Sequence, residues 1–305
     1  MLHYLGKRFL QTILVLFIVV TLIFVLLRCI GDPTKLLISP ESSWDDITFL
    51  QEYLGLDKPM YVQYFDYLKQ IVTGDLGTSF YYQRPIVDMI KEHAPATLLL
   101  AGVSFVVAVP LAILAGTIAA VKRKTLLDNV VTSVTIAGRS VPHFWYGLLL
   151  ILLFSVTLKW LPASGYGTFK HLIMPVLTLS SGLAASTARL TRSSMLEVMR
   201  QDYMTTARAK GVLETRVILH HGLRNALLTV VTMVSLQLGS LLGGSVVVES
   251  VFAWPGIGRL MINGILNYDY PLVQACAMIM ALLFAVINLV TDLLYTVIDP
   301  RIRYR

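Results

Sequence analysis

Ala96-Thr-Leu-Leu-Leu-Ala-Gly-Val-Ser-Phe-Val-Val-Ala-Val-Pro-Leu-Ala-Ile-Leu-Ala-Gly-Thr-Ile-Ala-Ala-Val121 is a run of 26 residues without a single charge. A helix needs about 20 apolar residues to cross a hydrocarbon core at 1.5 Å per residue. This run is therefore long enough to span a membrane. Five other stretches behave similarly: Phe9–Leu27, Val141–Leu158, Leu172–Ala188, Ala226–Val248 and Leu272–Thr291, the last extending as a helix to about 298. The fourth is the least apolar, with Pro175, Gly182 and several Ser, Ala and Thr. Lys7 and Arg8 give the first stretch the look of a signal peptide. Its apolar part is too long for that, and no small-residue cleavage site follows, so it reads as a retained span. The fold expected is an all-α membrane protein with six transmembrane helices.

Composition excludes the alternatives. Across 305 residues, 56% are hydrophobic and only 14% charged, with a mean hydropathy of +0.70. Soluble domains carry roughly 25% charged residues. The two cysteines, Cys29 and Cys276, stand far apart in apolar surroundings and read as buried thiols. The net charge of +7 raises the question of nucleic acid, and the distribution of charge answers it. With six spans and the N-terminus inside, the inner segments hold 16 Lys and Arg in 78 residues, against 9 in 104 outside. The positive-inside rule then predicts N-in, C-in, and no nucleic acid is needed to explain the base. Trp145 and Tyr146, Trp160 and Trp254 fall near span ends, as interfacial aromatics do.

The chain divides into an N-terminal span over 1–30, an extracytoplasmic segment over 31–93, and a membrane unit over 94–299. The middle segment is too long for a plain connection. It reads as two short helices, one at Leu50, Tyr53 and Leu54 stopped by Gly55, the other at Tyr61, Tyr64, Phe65 and Leu68 stopped by Gly74. Turn signals follow at 74–77 and at Arg84-Pro85.

Chemistry-bearing motifs are few. No GxxxxGK[S/T] phosphate loop, HExxH, CxxC or GxSxG occurs, and neither a catalytic residue nor a metal site is assigned. His220 and His221 are adjacent, which does not suit a helical ligand pair. His143 reads as an interfacial ring beside Trp145, with a substrate or proton contact as the alternative. Asp292 in the last span is expected to pair with an inner Arg.

The inner segment 189–225 is the informative one. Ser193 or Ser194 can cap a helix, with Glu197 at the box position of Ser194. The run Gln201-Asp202-Tyr203-Met204-Thr205-Thr206-Ala207-Arg208-Ala209-Lys210-Gly211 ends on a natural left-handed stop, with Arg208 and Lys210 in the last turn. A second helix starts near Glu214. Such a helix–Gly–helix element, with small Ala207 and Ala209 beside the bend, suits docking into a partner's groove. A basic solvated loop is the plainer alternative. In span five, Gly239 and Gly243, with Gly244 beside them, permit close packing or a gate. The segment Ser250–Tyr270, with Trp254, Pro255 and Gly256 inside it, is apolar yet broken by glycines, and reads as a short helix in the outer interface that roofs the pathway or as an ordinary loop.

The 201–211 run and His221-Gly-Leu-Arg-Asn-Ala226 resemble the coupling loop of bacterial ABC importer permeases, in the dipeptide/oligopeptide/nickel class. Only Ala207, Gly211 and Leu223 match the general family pattern of Glu-Ala-Ala, Gly and Ile-x-Leu-Pro. The remaining residues resemble the peptide/nickel branch. Further similar strings are Leu54–Pro59 with Gln63-Tyr64, Gly74–Ser79, Leu161-Pro162, Ala188–Met195, Val248–Gly258, Asp269–Pro271 and Asp299–Arg301. The resemblance implies a type I importer permease in the bacterial cytoplasmic membrane, with 189–225 as its cytoplasmic coupling loop. The residues implied to couple are Glu197, Asp202, Thr205, Thr206, Ala207, Arg208, Ala209, Lys210 and Gly211. It also implies a second homologous permease, two ATP-binding-cassette ATPases that carry ATP and Mg, and an extracytoplasmic solute-binding protein. This chain itself is expected to bind no cofactor and to be no enzyme. Short peptides are the expected cargo, with nickel or a metal chelate as the alternative. An ion-coupled secondary carrier is the alternative of another class; it would usually show inverted repeats and midplane charges.

Overall fold

The computed structural model describes residues 2–30 and 57–298. The helix expected at Leu50–Leu54 lies outside the described residues. The helices are α1 (Leu2–Ile30), α2 (Met60–Thr73), α3 (Ile86–Val121), α4 (Leu126–Ser140), α5 (His143–Leu150), α6 (Phe169–Val198), α7 (Asp202–Ala209), α8 (Glu214–Arg216), α9 (Arg224–Val251), α10 (Ile257–Leu266) and α11 (Tyr270–Ile298). Among the described residues the only extended pairing is an isolated bridge between Thr78 and Pro85. Five helices are long and apolar enough to cross a membrane, and a bent pair, α4 with α5, supplies a sixth.

That bent pair corrects the sequence reading. Residues 122–140 were expected to be a connection. They contain α4 instead, which bends by 112° into α5. The break sits where a residue before proline is pushed out of the helical region: Val141 adopts φ −88 and ψ 125, and Pro142 follows. The charges Lys122, Arg123, Lys124 and Asp128 hide α4 from a simple apolar count. Beyond Leu150, α5 widens into a π-helix over Ile151–Thr157. The Leu158 amide there reaches back five residues to the Leu153 carbonyl.

The chain folds as two compact units. Among the described residues, one comprises Thr97–Trp254 with 286–298, the other 2–30 and 57–96 with Pro255–Ala285. In the first unit, α6 is the centre: 56% of its most apolar window is buried, the largest share of any span. This explains why the least apolar span is so rich in small and polar residues. Its faces meet α4, α5 and α9 rather than lipid, and small residues allow helices to approach closely. Gly116 of α3 marks the tightest approach. A Cβ there would collide with the Ala188 carbonyl oxygen and lie 2.7 Å from the Thr191 Cβ.

In the second unit a core forms from Ile86, Met89 and Ile90 of α3, Ile257 and Leu260 of α10, and Leu272, Ala275 and Cys276 of α11. Cys276 is buried as expected, whereas Cys29 is exposed. Within α1, Leu10, Leu14, Phe17, Leu22 and Leu26 are exposed, the pattern of a helix whose sides face hydrocarbon. The α2 helix confirms the reading around Tyr61–Leu68, and Gly74 ends it at φ 73.

Gly116→Val is expected to destabilise the permease by about 1–3 kcal/mol through overpacking. Gly243→Ala, in a helix interior where the new Cβ would meet nothing within 4 Å, is expected to stabilise slightly, by about 0.5–1 kcal/mol. Thermal melts of the two purified variants in detergent distinguish them.

Candidate functional site

The sequence reading placed a capped helix start at Ser193 or Ser194. In the structure α6 runs straight through both, to Val198. Ser193 Oγ bonds the Leu190 carbonyl one turn back, and Ser194 is buried. Glu197 accordingly sits in the last turn of α6 and not at the start of a new helix. The new helix, α7, begins after Gln201, whose extended backbone (φ −74, ψ 147) makes the break.

Eight residues of helix are marginal on their own in water, so tertiary contacts must hold α7. Met204 and Ala207 supply them, packing with Val217 in a small buried cluster that Val198, Met199 and Val212 surround. Ala207 therefore faces inward, contrary to the expectation that it would meet a partner. Gly222 lies between the tips of Met195 and Met204, at 3.3 and 3.4 Å from where its Cβ would be. That accounts for a glycine within the His221–Ala226 string. Asn225 Nδ2 donates to Tyr203 Oη at 3.2 Å, and Arg208 reaches both carboxylate oxygens of Glu214. The Glu214 carboxylate holds the Arg208 guanidinium above its ordinary pKa, chiefly by hydrogen bonding.

The stop is as expected. Gly211 adopts φ +73. The Val212 amide bonds the Ala207 carbonyl and the Gly211 amide bonds that of Arg208, which is the Schellman pattern. Outward from this mount stand Asp202, Tyr203, Thr205, Thr206, Arg208, Ala209 and Lys210, all exposed. The chain then turns through α8 and a π-helical segment, Val217–Leu223, into α9.

A buried ion pair fixes the base of this element. Arg192 of α6 meets Asp128 of α4 through two bonds, Nε to Oδ1 at 2.6 Å and Nη2 to Oδ2 at 2.9 Å. The Lys124 amide adds a third bond to the same carboxylate. Sequence reasoning missed this pair, since 64 residues separate its members. Likewise missed was Asp269, which caps α11 by accepting from the Leu272 amide and also accepts from Ser79 Oγ and the Tyr81 amide. The Gly74–Ser79 and Asp269–Pro271 strings, distant in sequence, thus meet at one buried carboxylate.

The second group of predicted residues lies elsewhere. From Asn225 to the far end of α9 is about 40 Å at 1.5 Å per residue. Gly239, midway along α9, is buried, but Gly243 is exposed and a Cβ added to it would meet nothing within 4 Å. The close packing falls instead to Gly244, facing Leu179 and His143. His143 is half-buried, and its Nδ1 sits 3.2 Å from the Thr178 carbonyl. Trp254 is not an interfacial residue. It is buried, edge-on to Tyr166 at 4.8 Å. Pro255 is half-buried, and Gly256 is the buried cap that precedes α10, so the segment after Trp254 is helical. Among the described residues no group of three or more His, Cys, Asp or Glu could hold a metal. The side chain of Asp292 lies outside the described residues.

Comparison with known proteins places this architecture. Residues 112–304 match the model of the family described as binding-protein-dependent transport system inner membrane component. Residues 1–101 match the companion N-terminal model of such membrane components. The chain therefore belongs to this family, the inner-membrane permeases of ABC importers, and lies in the peptide/oligopeptide class. Over its whole length and that of its relatives it is 47% identical to the glutathione transport system permease protein GsiC of Escherichia coli (strain K12) and of Shigella dysenteriae serotype 1 (strain Sd197). Among solved structures it is similar to the MetNI methionine ABC transporter in inward-facing conformations, with a TM-score of 0.60 at 19% identity, covering 70% of this chain and 98% of the other. An amino acid ABC transporter solved with histidines matches at a TM-score of 0.50 and 17% identity, covering 70% and 94%.

Asp128→Asn should destabilise the unit holding α4 and α6 by about 3 kcal/mol, because it leaves the Arg192 charge without its counter-ion. The double variant Asp128→Asn with Arg192→Met should recover much of that loss. Unfolding midpoints of the single and double variants provide the check.

Proposed function

We propose that this chain is one of two permease halves that import short peptides of about glutathione's size, with its N- and C-termini in the cytoplasm. The single observation behind this reading is α7. It is rigidly mounted on α6 and α9 through Met204, Ala207 and Tyr203, yet presents a row of exposed polar and basic side chains to whatever lies beyond. The excess of Lys and Arg in segments 122–140 and 189–225 supports a cytoplasmic setting for it. Full-length identity to glutathione permeases supports a peptide-like cargo.

In this reading two ATPases, loaded with ATP and Mg, receive α7 of each permease, and an extracytoplasmic binding protein delivers the peptide. Nucleotide-driven closure of the ATPases pulls α7. The pull passes to α6 through the short 199–201 link and to α9 through the π-helical turn, rocking both in alternating access. Asp202, Thr205, Thr206, Arg208, Ala209 and Lys210 form the docking face, with Glu197 at its edge. Gly211 keeps the end of α7 tightly turned.

Gly211→Val should strain the left-handed stop by about 1–2 kcal/mol. Peptide uptake by reconstituted vesicles is expected to fall at least tenfold while ATP hydrolysis continues; coupled uptake at the normal rate would refute the docking role. Cysteine at Ala209 should cross-link to an ATPase subunit, whereas cysteine at the buried Ala207 should not. Competition for uptake between glutathione, other short peptides and a nickel chelate tests the cargo, and transport of the chelate alone would overturn the peptide assignment.

A further inference from the structure

No residue of α2 is fully buried, and its three sides differ in chemistry. One side packs on α1. The Tyr64 hydroxyl shares a hydrogen bond with Thr21 Oγ1 at 2.7 Å, and Gln63 Oε1 accepts from Arg28 Nε at 2.9 Å. The rings of Tyr64 and Tyr67 lie 5.2 and 5.8 Å from that of Phe24. A second side carries Asp66, Lys69 and Thr73, all exposed. The third carries Tyr61, Phe65, Leu68 and Val72, which helical spacing brings into one row. That row stands about 130° round the helix from Tyr67. Tyr61 is 67% exposed, Phe65 66% and Val72 86%.

Two spans mark the level at which α2 lies. Arg28 is the first charge after the apolar run Phe9–Leu27, and Asp269 is the last before Leu272–Thr291. Leu27 clusters with Tyr270 and Val273, so α1 and α11 reach the edge of the hydrocarbon together. The contacts of α2 with α1 fall between Thr21 and Arg28, from the edge itself to about 10 Å inside it. On the α11 side, Tyr67 and Ile71 line a cavity with Pro271, Gln274 and Ala275, again in the first turns of the span. An amphipathic helix lying in a membrane interface buries its apolar side about 5–10 Å into the headgroup and acyl boundary. Helix α2 stands at that depth.

Continuity identifies what meets the apolar row. The part of α1 that holds α2 exposes Leu22, Val25 and Leu26, the side already assigned to hydrocarbon. Tyr61 and Phe65 add aromatic rings at the level where membranes favour them. In water the row would leave a contiguous apolar strip exposed. At the boundary the same strip meets acyl chains while Asp66, Lys69 and Thr73 stay hydrated.

We propose that α2 is an interfacial helix, its row of Tyr61, Phe65, Leu68 and Val72 inserted into the lipid leaflet at the Arg28 end of α1. The full chain carrying Cys29→Ser, purified with its co-expressed partners, would be placed in nanodiscs of phosphatidylglycerol and phosphatidylethanolamine. Phe65→Cys, Val72→Cys, Lys69→Cys and Thr73→Cys would each be labelled with bimane and read above the Cys29→Ser background. Quenching by a lipid spin-labelled high on its acyl chain is compared with quenching by aqueous iodide. The lipid label is expected to quench at Phe65 and Val72 at least threefold more than at Lys69 and Thr73, with iodide in the reverse order. Val72 is the most exposed side chain of the row, so Val72→Cys decides the matter if Phe65→Cys fails to fold. Equal quenching at the four positions would overturn the proposal. Weak quenching of Phe65 and Val72 by both reagents would assign the row to a protein surface and overturn it too.

Discussion

Arg192 lies fork-to-fork against Asp128, and much of the informative half of the molecule depends on that contact. It ties α4, the helix beyond the 112° bend, to α6 less than two turns before α6 gives way to α7. An arginine placed there without its carboxylate would leave a half-buried charge and a poorly held helix end, and a buried carboxylate without its arginine would cost more. The pair therefore fixes where the base of α7 stands. The π-helical turn and Gly222 then fix how α9 leaves it.

The same region shows how a short helix is held in place. Helix α7 has two turns and gains little from its own hydrogen bonds. Its order comes from Met204 and Ala207 below and from Tyr203 and Arg208 at the sides. On the other side Asp202, Thr205, Ala209 and Lys210 are exposed.

Left-handed stops recur along the chain and show a graded use of residue type. Gly211 takes the position at no steric cost. Ala253 at φ 51 and Tyr268 at φ 53 take it with a Cβ present. The amides that follow, of Trp254 and Asp269, close the same wide hydrogen-bonded loop onto Glu249 and Gly264. Both of these stops are backed by buried side chains, Trp254 against Tyr166 and Asp269 against Ser79, which offset the strain.

The apolar runs by themselves state only that the chain crosses a membrane several times. The sequence by itself determined the existence and rough extent of the spans, the Gly211 stop, the helix at Tyr61–Leu68 and the likeness carried by 201–226. These depend on transfer from water to hydrocarbon and on local backbone sterics, which are properties of a segment alone. Only the tertiary structure decided that Ala207 faces inward, that Gly244 and not Gly243 packs, that Trp254 is enclosed, and that Asp128 meets Arg192 while Asp269 meets Ser79. Those outcomes depend on which helices become neighbours, and a side chain's partner across 64 or 190 residues leaves no periodic trace in the chain that carries it.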